Sequence, residues 1–489
     1  MSIETICNIL NDSYCVFDTS TLSNTQFPIP DPFFGLFHLK VGDNTLHTSS
    51  LSQHFVFVVD HSGSMSFKCS DGITKMTHVV YTLNKIVQYF SEYSAMSVSI
   101  YLTVFAFDNN FEEVVKMVKL DDFTKDDIIQ KINNIRPQGL TNIELALKQT
   151  KQFINECLTT CPERNITHIF MTDGDVTVGS ADIKVLQSEC VPSISNIFIG
   201  FGLDHNAHML SALGNSYYFI DNMERSGLVY GEVLSSVLCC IAKHASVKIT
   251  NGYIYDWKHN VWKTELFIGD IVSDKTYHLI ASDPSTVECI LSIKMNDTKE
   301  TVQGVIGQRH DENTFLDSEY FTKYKYRQQT QELLYEVNTN ARILPSPIKQ
   351  RRKSYLHLNL KEELEEEKNV SLKERMHALL ETMKTYMNGL TNENDKKFMK
   401  LLCDDIYVCI QTHGTPHAKM YSCTRHLSQG SQRVYSSGEP EQMSDNSSDF
   451  YQISDYSETP YSTKSVQEIM KFLDDKDGLD GLKNFKDEK

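Results

Sequence analysis

Between residues 54 and 244 the chain alternates between short, continuous apolar segments and amphipathic segments with helical spacing. The segment HFVFVVD (54–60) is apolar up to its final acid, which is typical of a strand buried on both faces of a parallel sheet. The following segment places Val79, Leu83 and Phe90 at helical spacing. Repeated strand–helix alternation predicts an α/β fold with a doubly wound, mostly parallel sheet covered by helices on both faces.

Further segments of this region are also predicted to be strands, and the second of them is the hairpin partner of the first: 97–107, 111–120, 165–175, 193–202 and 217–220. A helix is expected from Ile143 to Cys157, where apolar residues lie on one face, and a closing helix from 224 to 244. The α/β domain is therefore expected to span 51–244.

The segment after this domain has a different pattern. Residues 245–315 contain short apolar segments separated by Asn-Gly, Gly-Asp and Ser-Asp turns, without a long helix between them. This pattern predicts a small antiparallel β-sandwich. Upstream, residues 33–41 alternate apolar and polar side chains outside the α/β pattern. We expect the N-terminal segment 1–50 to contribute this strand to the sandwich across the inserted domain.

The last third of the chain is helical and then polar. Residues 316–414 are charged and predicted to form a helical region without sustained heptads. From 415 to 489 the chain is acidic and rich in Ser and Tyr, so it is expected to be a disordered tail, because it has little apolar area to bury. The segment TKSVQEIMKFLDD (463–475) is a candidate short helix, formed either alone or on binding.

Composition restricts the partners. Lys and Arg total 47 against 64 Asp and Glu, a net charge of -17, so phosphate backbones would repel the chain and nucleic acid is not the expected principal partner. The first residues lack the pattern of a signal peptide, and no long apolar segment predicts a membrane span. The scattered cysteines are expected to be reduced. These features predict an intracellular, cytoplasmic protein.

Three loops carry side chains suited to binding a cation. Asp60, Ser62 and Ser64 follow the first strand, Thr141 precedes a helix, and Asp173 follows another strand. Ligands of open parallel sheets lie beyond the carboxyl ends of the strands, where these loops are expected to meet. Two carboxylates and three hydroxyls provide the oxygen ligands that Mg²⁺ prefers, and Mn²⁺ and Ca²⁺ are alternatives. The two negative charges leave room for a carboxylate from a partner.

The three motifs DHSGSM (60–65), GLTN (139–142) and MTDGD (171–175) together resemble the metal-ion-dependent adhesion site of von Willebrand factor A domains. The resemblance covers about 190 residues and implies a Rossmann-like sheet. It implies that the metal residues are Asp60, Ser62, Ser64, Thr141 and Asp173.

The resemblance also implies a function, which is a protein–protein interaction module without catalytic residues. Its divalent cation would bind an acidic residue of a protein partner. Gly139-Leu140-Thr141 departs from the Gly-Gly-Thr often present in the family, which keeps the hydroxyl and is expected to stiffen the loop. A looser similarity, at 266–271 and 33–41, is to intracellular members of the family that have a downstream sandwich and helices.

Other interpretations remain open from the sequence. The hydroxyls of Ser62 and Ser64 could serve as helix caps instead of cation ligands. A Mg²⁺-dependent hydrolase or phosphatase with Asp60 as nucleophile is the alternative function, although Ser62 stands where such phosphatases have a second Asp. Asp108 and Asp175 are interpreted as turn residues. The basic run KQRRKS (349–354) fits either a linker or a localisation signal.

Overall fold

The computed structural model of the protein describes residues 3–9, 27–30, 32–41, 52–69, 72–96, 98–202, 205–214, 216–220, 226–240, 242–283, 286–295, 298–306, 318–340, 359–415, 417–433, 460–461 and 463–473. Their contacts divide them into two compact units. The α/β unit contains the described residues of 52–239 and 463–473, and the sheet–helix unit contains those of 3–41, 240–433 and 460–461. No helix in these ranges is long and apolar enough to cross a membrane.

The chain begins with two strands of the sheet–helix unit, β1 (Ile3–Ile9) and β2 (Phe33–Val41), and then enters the α/β unit. The α/β unit has one six-stranded sheet in the order β5-β4-β3-β6-β7-β8. All neighbouring strands are parallel except β5, which is the antiparallel hairpin partner of β4. The strands are β3 (Gln53–Asp60), β4 (Ile100–Phe107), β5 (Phe111–Lys119), β6 (Asn165–Thr172), β7 (Ser195–Phe201) and β8 (Ser216–Ile220).

Helices cover both faces of this sheet, as the apolar central strand requires. Phe55 of β3 packs against Phe90 with ring centroids 4.4 Å apart, and Phe105 of β4 packs against Phe153 at 5.1 Å on the opposite face. The predicted doubly wound α/β fold is confirmed. The helices are α1 (Lys75–Met96), α2 (Lys125–Ile132), α3 (Ile143–Thr160), α4 (Ile183–Ser188), α5 (Ala207–Leu213) and α6 (Ser226–Leu238).

The sheet–helix unit contains a nine-stranded sheet in the order β11-β10-β13-β2-β1-β15-β14-β9-β12. Strand β2 pairs with β13 and with β1, while β1 and β15 form a parallel pair in an otherwise antiparallel sheet. Only one N-terminal strand, 33–41, was expected in this sheet, and β1 is a second one. The remaining strands are β9 (Ala242–Thr250), β10 (Gly252–Asp256), β11 (Val261–Lys263), β12 (Glu265–Ile271), β13 (Lys275–Ala281), β14 (Glu288–Met295) and β15 (Thr298–Ile306).

The sheet closes over a shared apolar core. Ile254 of β10 and Leu266 of β12 belong to the same buried cluster although their strands lie near opposite ends of the sheet. The two halves therefore pack face to face, as in a sandwich. On β2, Phe37 and Leu39 point into this core, whereas Phe34 points to the other face and contacts Phe321. Both faces of β2 are thus buried.

Four helices follow the sheet: α7 (Ser318–Asn340), α8 (Asn359–Gly389), α9 (Glu393–Thr412) and α10 (Ala418–Ser431). The tail was expected to begin at 415, and α10 corrects this boundary, because α10 is a buried helix. Its polar side chains are satisfied inside the unit: Arg425 pairs with Asp405 at 2.8 Å, and His426 Nε2 donates to the Trp257 carbonyl at 2.9 Å. Polar composition therefore did not mean exposure here.

The candidate helix at 463–475 is helical as α11 (Lys464–Leu473) and packs within the α/β unit. Most of the Ser- and Tyr-rich segment expected to be disordered (434–459), and the run KQRRKS (349–354), lie outside the described residues.

Candidate metal site

The carboxyl ends of β3 and β6 lie side by side at the centre of the six-stranded sheet. From β3 the chain proceeds outward to β4 and β5, and then returns to β6, β7 and β8 on the other side. The strand order therefore reverses between β3 and β6, which is where open α/β sheets bind ligands. Asp60 is the last residue of β3, and Asp173 follows the last residue of β6.

The first loop turns sharply after Asp60. The Ser62 amide donates to Asp60 Oδ1 at 2.8 Å, and a 3₁₀ turn follows at Gly63–Ser66. Ser62 occupies the N-cap position of this turn, but its side chain makes no capping hydrogen bond; its Oγ instead lies 3.1 Å from Ser64 Oγ. The geometry does not fit the interpretation of Ser62 as a helix cap and leaves the two hydroxyls together.

The third loop is bonded directly to the first. Thr172 Oγ1 donates to Asp60 Oδ2 at 2.5 Å, and Ser64 Oγ donates to Asp173 Oδ1 at 2.7 Å. Because the Ser64 proton is directed at the carboxylate, the Ser64 oxygen accepts from the neighbouring Ser62 hydroxyl and keeps a second lone pair for a further partner. Thr172 was part of the recognised motif, but sequence reasoning gave it no role. Its hydroxyl fixes the orientation of the Asp60 carboxylate.

The second loop is held against the other two by its backbone. The Gly63 amide donates to the Gly139 carbonyl at 3.2 Å, and the Thr141 amide donates to Thr177 Oγ1 at 2.7 Å. Gly139 has a φ of +67°, and a Cβ added there would stand 2.3 Å from Asp108 Oδ2. Glycine is therefore required at this position both by conformation and by space.

The hydroxyls of Ser64 and Thr141 face a common space. A Cβ added to Gly174 would lie 3.8 Å from Ser64 Oγ and 3.7 Å from Thr141 Oγ1. Asp60, Ser62, Asp173 and Thr141 are buried, and Ser64 is half-buried. The geometry thus brings the five predicted residues to the same edge of the sheet, and this oxygen-rich donor set fits a hard divalent cation.

The electrostatics of the two carboxylates also suit a cation. Burial raises the pKa of Asp60 to about 6; the hydrogen bonds from Thr172 and Ser62 act to lower this pKa, and the charge of Asp173 acts to raise it. A cation between the loops would favour the ionised form of both acids. Within the described ranges, no group of three or more His, Cys, Asp or Glu side chains is arranged to hold a metal.

Two other acids were interpreted as turn residues. Asp108 Oδ1 accepts the Asn110 amide at 2.5 Å, and the Asp108 carbonyl accepts the Asn142 amide at 3.0 Å. The Asp108 side chain therefore stabilises its own turn, and the Asp108 carbonyl binds the backbone of the second loop at Asn142. Asp175 is exposed in the third loop.

Lys75, the first residue of α1, also lies at the site and was not among the predicted residues. Its Nζ lies 2.8 Å from Asp173 Oδ2, so both oxygens of Asp173 have partners. Lys75 is 15 positions from Asp60 in the sequence, and the first residue of an amphipathic helix is ordinarily solvated. The signal that could have identified it is its position at the start of the helix that follows the first loop.

The model of the von Willebrand factor type A domain family matches residues 55–227. Among solved structures, the chain is similar to a von Willebrand factor type A protein from Catenulispora acidiphila, with 12% identity over 69% of this chain and 81% of that chain and a TM-score of 0.45. It is also similar to the ArnB paralog VWA2 from Sulfolobus acidocaldarius, with 14% identity over 88% of this chain and 98% of that chain and a TM-score of 0.46.

A third similar structure is proximal thread matrix protein 1 from the mussel byssus, with a zinc-occupied MIDAS motif. It has 18% identity over 41% of this chain and 50% of that chain, and a TM-score of 0.31. No match was found among curated proteins. The family model thus identifies a von Willebrand factor type A domain at residues 55–227 of this chain.

Proposed function

We propose that the α/β unit binds a divalent cation through Asp60, Ser62, Ser64, Thr141 and Asp173, and that the cation binds a carboxylate of a protein partner. Domains of this family are generally metal-dependent protein-interaction modules. The observation that carries the proposal is the hydrogen bond from Ser64 to Asp173, which joins two of the three loops and leaves a Ser64 lone pair available beside the bond from Ser62.

Charge balance supports an anionic partner. Asp60 and Asp173 contribute two negative charges and Lys75 one positive charge, so the group has a net charge of -1 when both acids are ionised. A divalent cation changes this to +1. An excess positive charge in a largely buried site attracts an anion that can complete the coordination shell, and a side-chain carboxylate supplies an oxygen ligand of the required kind.

The alternative, a hydrolase with Asp60 as nucleophile, receives less support. The Asp60 side chain is fully buried, and its Oδ1 and Oδ2 accept hydrogen bonds from Ser62 and Thr172. A nucleophilic oxygen needs an open approach for the substrate, and the buried Asp60 carboxylate does not offer one. An oxygen that orients a loop, or that binds a cation through water, does not need direct access.

Calorimetric titration of the full chain with Mg²⁺, Mn²⁺ and Ca²⁺ tests the cation site. The variants are Asp60→Asn, the double variant Ser62→Ala/Ser64→Ala, Thr141→Val and Asp173→Asn. Each replaces a carboxylate or hydroxyl ligand with a weaker or non-coordinating group and changes the side-chain volume little. We therefore expect the cation affinity to fall by about tenfold or more. The comparison of the three ions identifies the preferred one.

Asp175→Asn is the matched control, since it removes an exposed acid from the same loop as Asp173. It should leave the affinity unchanged. If the control loses as much cation affinity as Asp173→Asn, the overall negative charge of the loop attracts the ion, and the five-residue site does not. If the wild type shows no saturable binding, the three loops are structural turns and the proposal is wrong.

The partner step has its own test. Peptides that differ only in Asp against Asn at one position are screened for binding to the wild type with the preferred cation and with EDTA. An Asp-dependent, cation-dependent hit that Asp60→Asn abolishes supports the proposal. Hits that persist in EDTA, or that tolerate Asn, would show that the domain binds partners by another surface.

A further inference from the structure

Helix α11 packs on the α/β unit although it lies more than 200 residues beyond the end of the family match. Its apolar side chains are spaced at i, i+3, i+4 and i+7 and are all buried: Val466, Ile469, Met470 and Leu473. The side chains of Lys464, Glu468 and Lys471 are exposed. This is the pattern of an amphipathic helix seated in an apolar groove.

Helix α6 forms one wall of that groove. Its residues from Ser226 to Ser235 are all buried, which a helix on the surface of a sheet achieves when its outer face is also covered. At the point of contact α6 has Gly231, where an added Cβ would stand 2.6 Å from Met470 Cγ and 2.9 Å from Met470 Cα. The absence of a side chain lets the backbones of the two helices approach closely.

Helix α1 contributes the other wall. The rings of Tyr89 and Phe472 meet edge to face with centroids 5.3 Å apart. At the opposite end of the contact, the Ser465 side chain hydrogen-bonds to Cys239, just beyond α6. The groove therefore offers apolar, aromatic and polar contacts that match successive positions of α11.

We infer that the α1–α6 groove is a binding site for an amphipathic helix and that α11 is its detachable intramolecular ligand. Helix α11 has ten residues, and isolated helices shorter than roughly 12 to 15 residues are marginal in water. Its helical form therefore depends on the groove. Helix formation and docking are one step, which can reverse while the sheet stays folded.

The groove and α11 belong to the same chain, so docking is intramolecular and its effective concentration does not fall on dilution. A competing partner must present the same spacing of apolar residues on a helix and must outcompete this covalent ligand. The kind of partner that fits is therefore an amphipathic helix with apolar residues at i, i+3, i+4 and i+7.

Gly231→Ala is the decisive variant because alanine favours the α6 helix while its Cβ collides with the α11 backbone. Hydrogen exchange of the full chain, measured in EDTA so that the cation site plays no part, reports each helix separately. We expect exchange of the α11 amides to be at least about tenfold faster than in the wild type, with β3 and β6 unchanged. Lys471→Ala, on the exposed face of α11, is the matched control.

A second measurement uses a fluorescent peptide of residues 461–475 and the full-chain variant Ile469→Asp/Leu473→Asp, whose own α11 cannot dock. The peptide should bind this variant at least about tenfold more tightly than it binds the wild type, where α11 competes. Adding Gly231→Ala to the variant should abolish binding. A peptide with the same two Asp substitutions is the negative control.

Each contrary result overturns the inference. Unchanged α11 protection in Gly231→Ala would show that α11 does not rely on this contact. Joint loss of protection in α11, β3 and β6 would make α11 an integral part of the core. Wild-type α11 protection that falls on dilution would assign the groove to the helix of a second copy. If the Asp double variant does not fold, the exchange data for Gly231→Ala decide.

Discussion

Lys75 Nζ lies 2.8 Å from Asp173 Oδ2, and the two side chains are 12% and 0% exposed. This ion pair places a fixed positive charge beside the carboxylate that the proposed cation needs. The Lys75 ammonium and the proposed cation therefore compete for the negative charge of Asp173. The pair also satisfies a buried acid when no cation is bound.

Replacing Lys75 with Met should strengthen cation binding and weaken the cation-free fold. Removal of a neighbouring positive charge should tighten divalent affinity by roughly tenfold. In EDTA the unpaired Asp173 should cost about 3 kcal/mol of unfolding free energy, and saturating cation should restore much of it. Calorimetry and chemical denaturation measure the two effects. Lys148→Met, on an exposed position of α3, is the control; weaker cation binding by Lys75→Met would contradict the competition.

Gly139→Ala should disturb the second loop. The positive φ and the 2.3 Å approach to Asp108 Oδ2 leave no room for a Cβ, so the backbone that carries Thr141 must shift. We expect a loss of about 1 to 3 kcal/mol in stability, and cation affinity should fall with it. Leu140→Ala, at a position 53% exposed, should change neither quantity. Equal effects of the two substitutions would show that the loop tolerates rearrangement.

The stability of the α/β unit should depend on pH through two buried histidines. Burial lowers the pKa of His54 and of His168 to about 4, while the unfolded chain keeps the ordinary value near 6.5. Between these values the unfolded state binds more protons, so stability is lost as the pH falls from about 6.5 to about 4. His168 alone should account for up to about 3 kcal/mol.

Denaturation of wild type and His168→Gln at several pH values measures this dependence. The variant should have a smaller slope, and His208→Gln, at an exposed position, should match the wild type. In EDTA, Asp60 acts in the opposite direction, because its pKa is raised to about 6 and the folded state retains its proton. The difference between wild type and variant removes that contribution. Parallel slopes would exclude His168 as a source of the pH dependence.

The stability of the sheet–helix unit should depend on the buried ion pair between Arg425 and Asp405. Arg425 Nη1 donates to Asp405 Oδ1 at 2.8 Å, and Gln429 Nε2 donates to Oδ2 at 2.6 Å. Burial raises the pKa of Asp405 to about 6, although the Arg425 guanidinium acts to lower it. Arg425→Met leaves the acid without its counter-charge and should cost about 3 to 5 kcal/mol.

The double variant Asp405→Asn/Arg425→Met removes both charges and should recover most of that loss. Thermal unfolding of the single variants and the double variant gives the coupling energy. Additive losses in the double variant would show that the two side chains act independently. The ion pair would then contribute no coupling energy to the stability of the unit.

The central strand and the site loops could be predicted because their signals are local. The apolar run that ends at Asp60 specifies a buried strand, and hydroxyls spaced two residues apart around Gly63 specify a turn that gathers them. Lys75 could not be predicted in the same way, since its role depends on the third loop, almost 100 residues later. A long side chain at the start of a helix has many possible orientations.

Helices α10 and α11 illustrate a second limit. The apolar positions of α11 are visible in the sequence, but the groove that receives them is formed by α1 and α6, far upstream. In α10, Arg425 and His426 have the composition of a solvated segment. Their burial depends on Asp405 and on the Trp257 carbonyl, partners that composition does not identify.

The pairing of β2 with β13 has a consequence for the order of folding during synthesis. His38 bonds to Thr276, a partner 238 residues later. At ordinary translation rates, β2 waits roughly 10 to 50 s for that strand to be made. The α/β unit between them closes its central sheet with shorter loops, which favours faster folding. We therefore expect the inserted unit to fold first on the ribosome, while β1 and β2, which pair with each other, still lack β15 and β13.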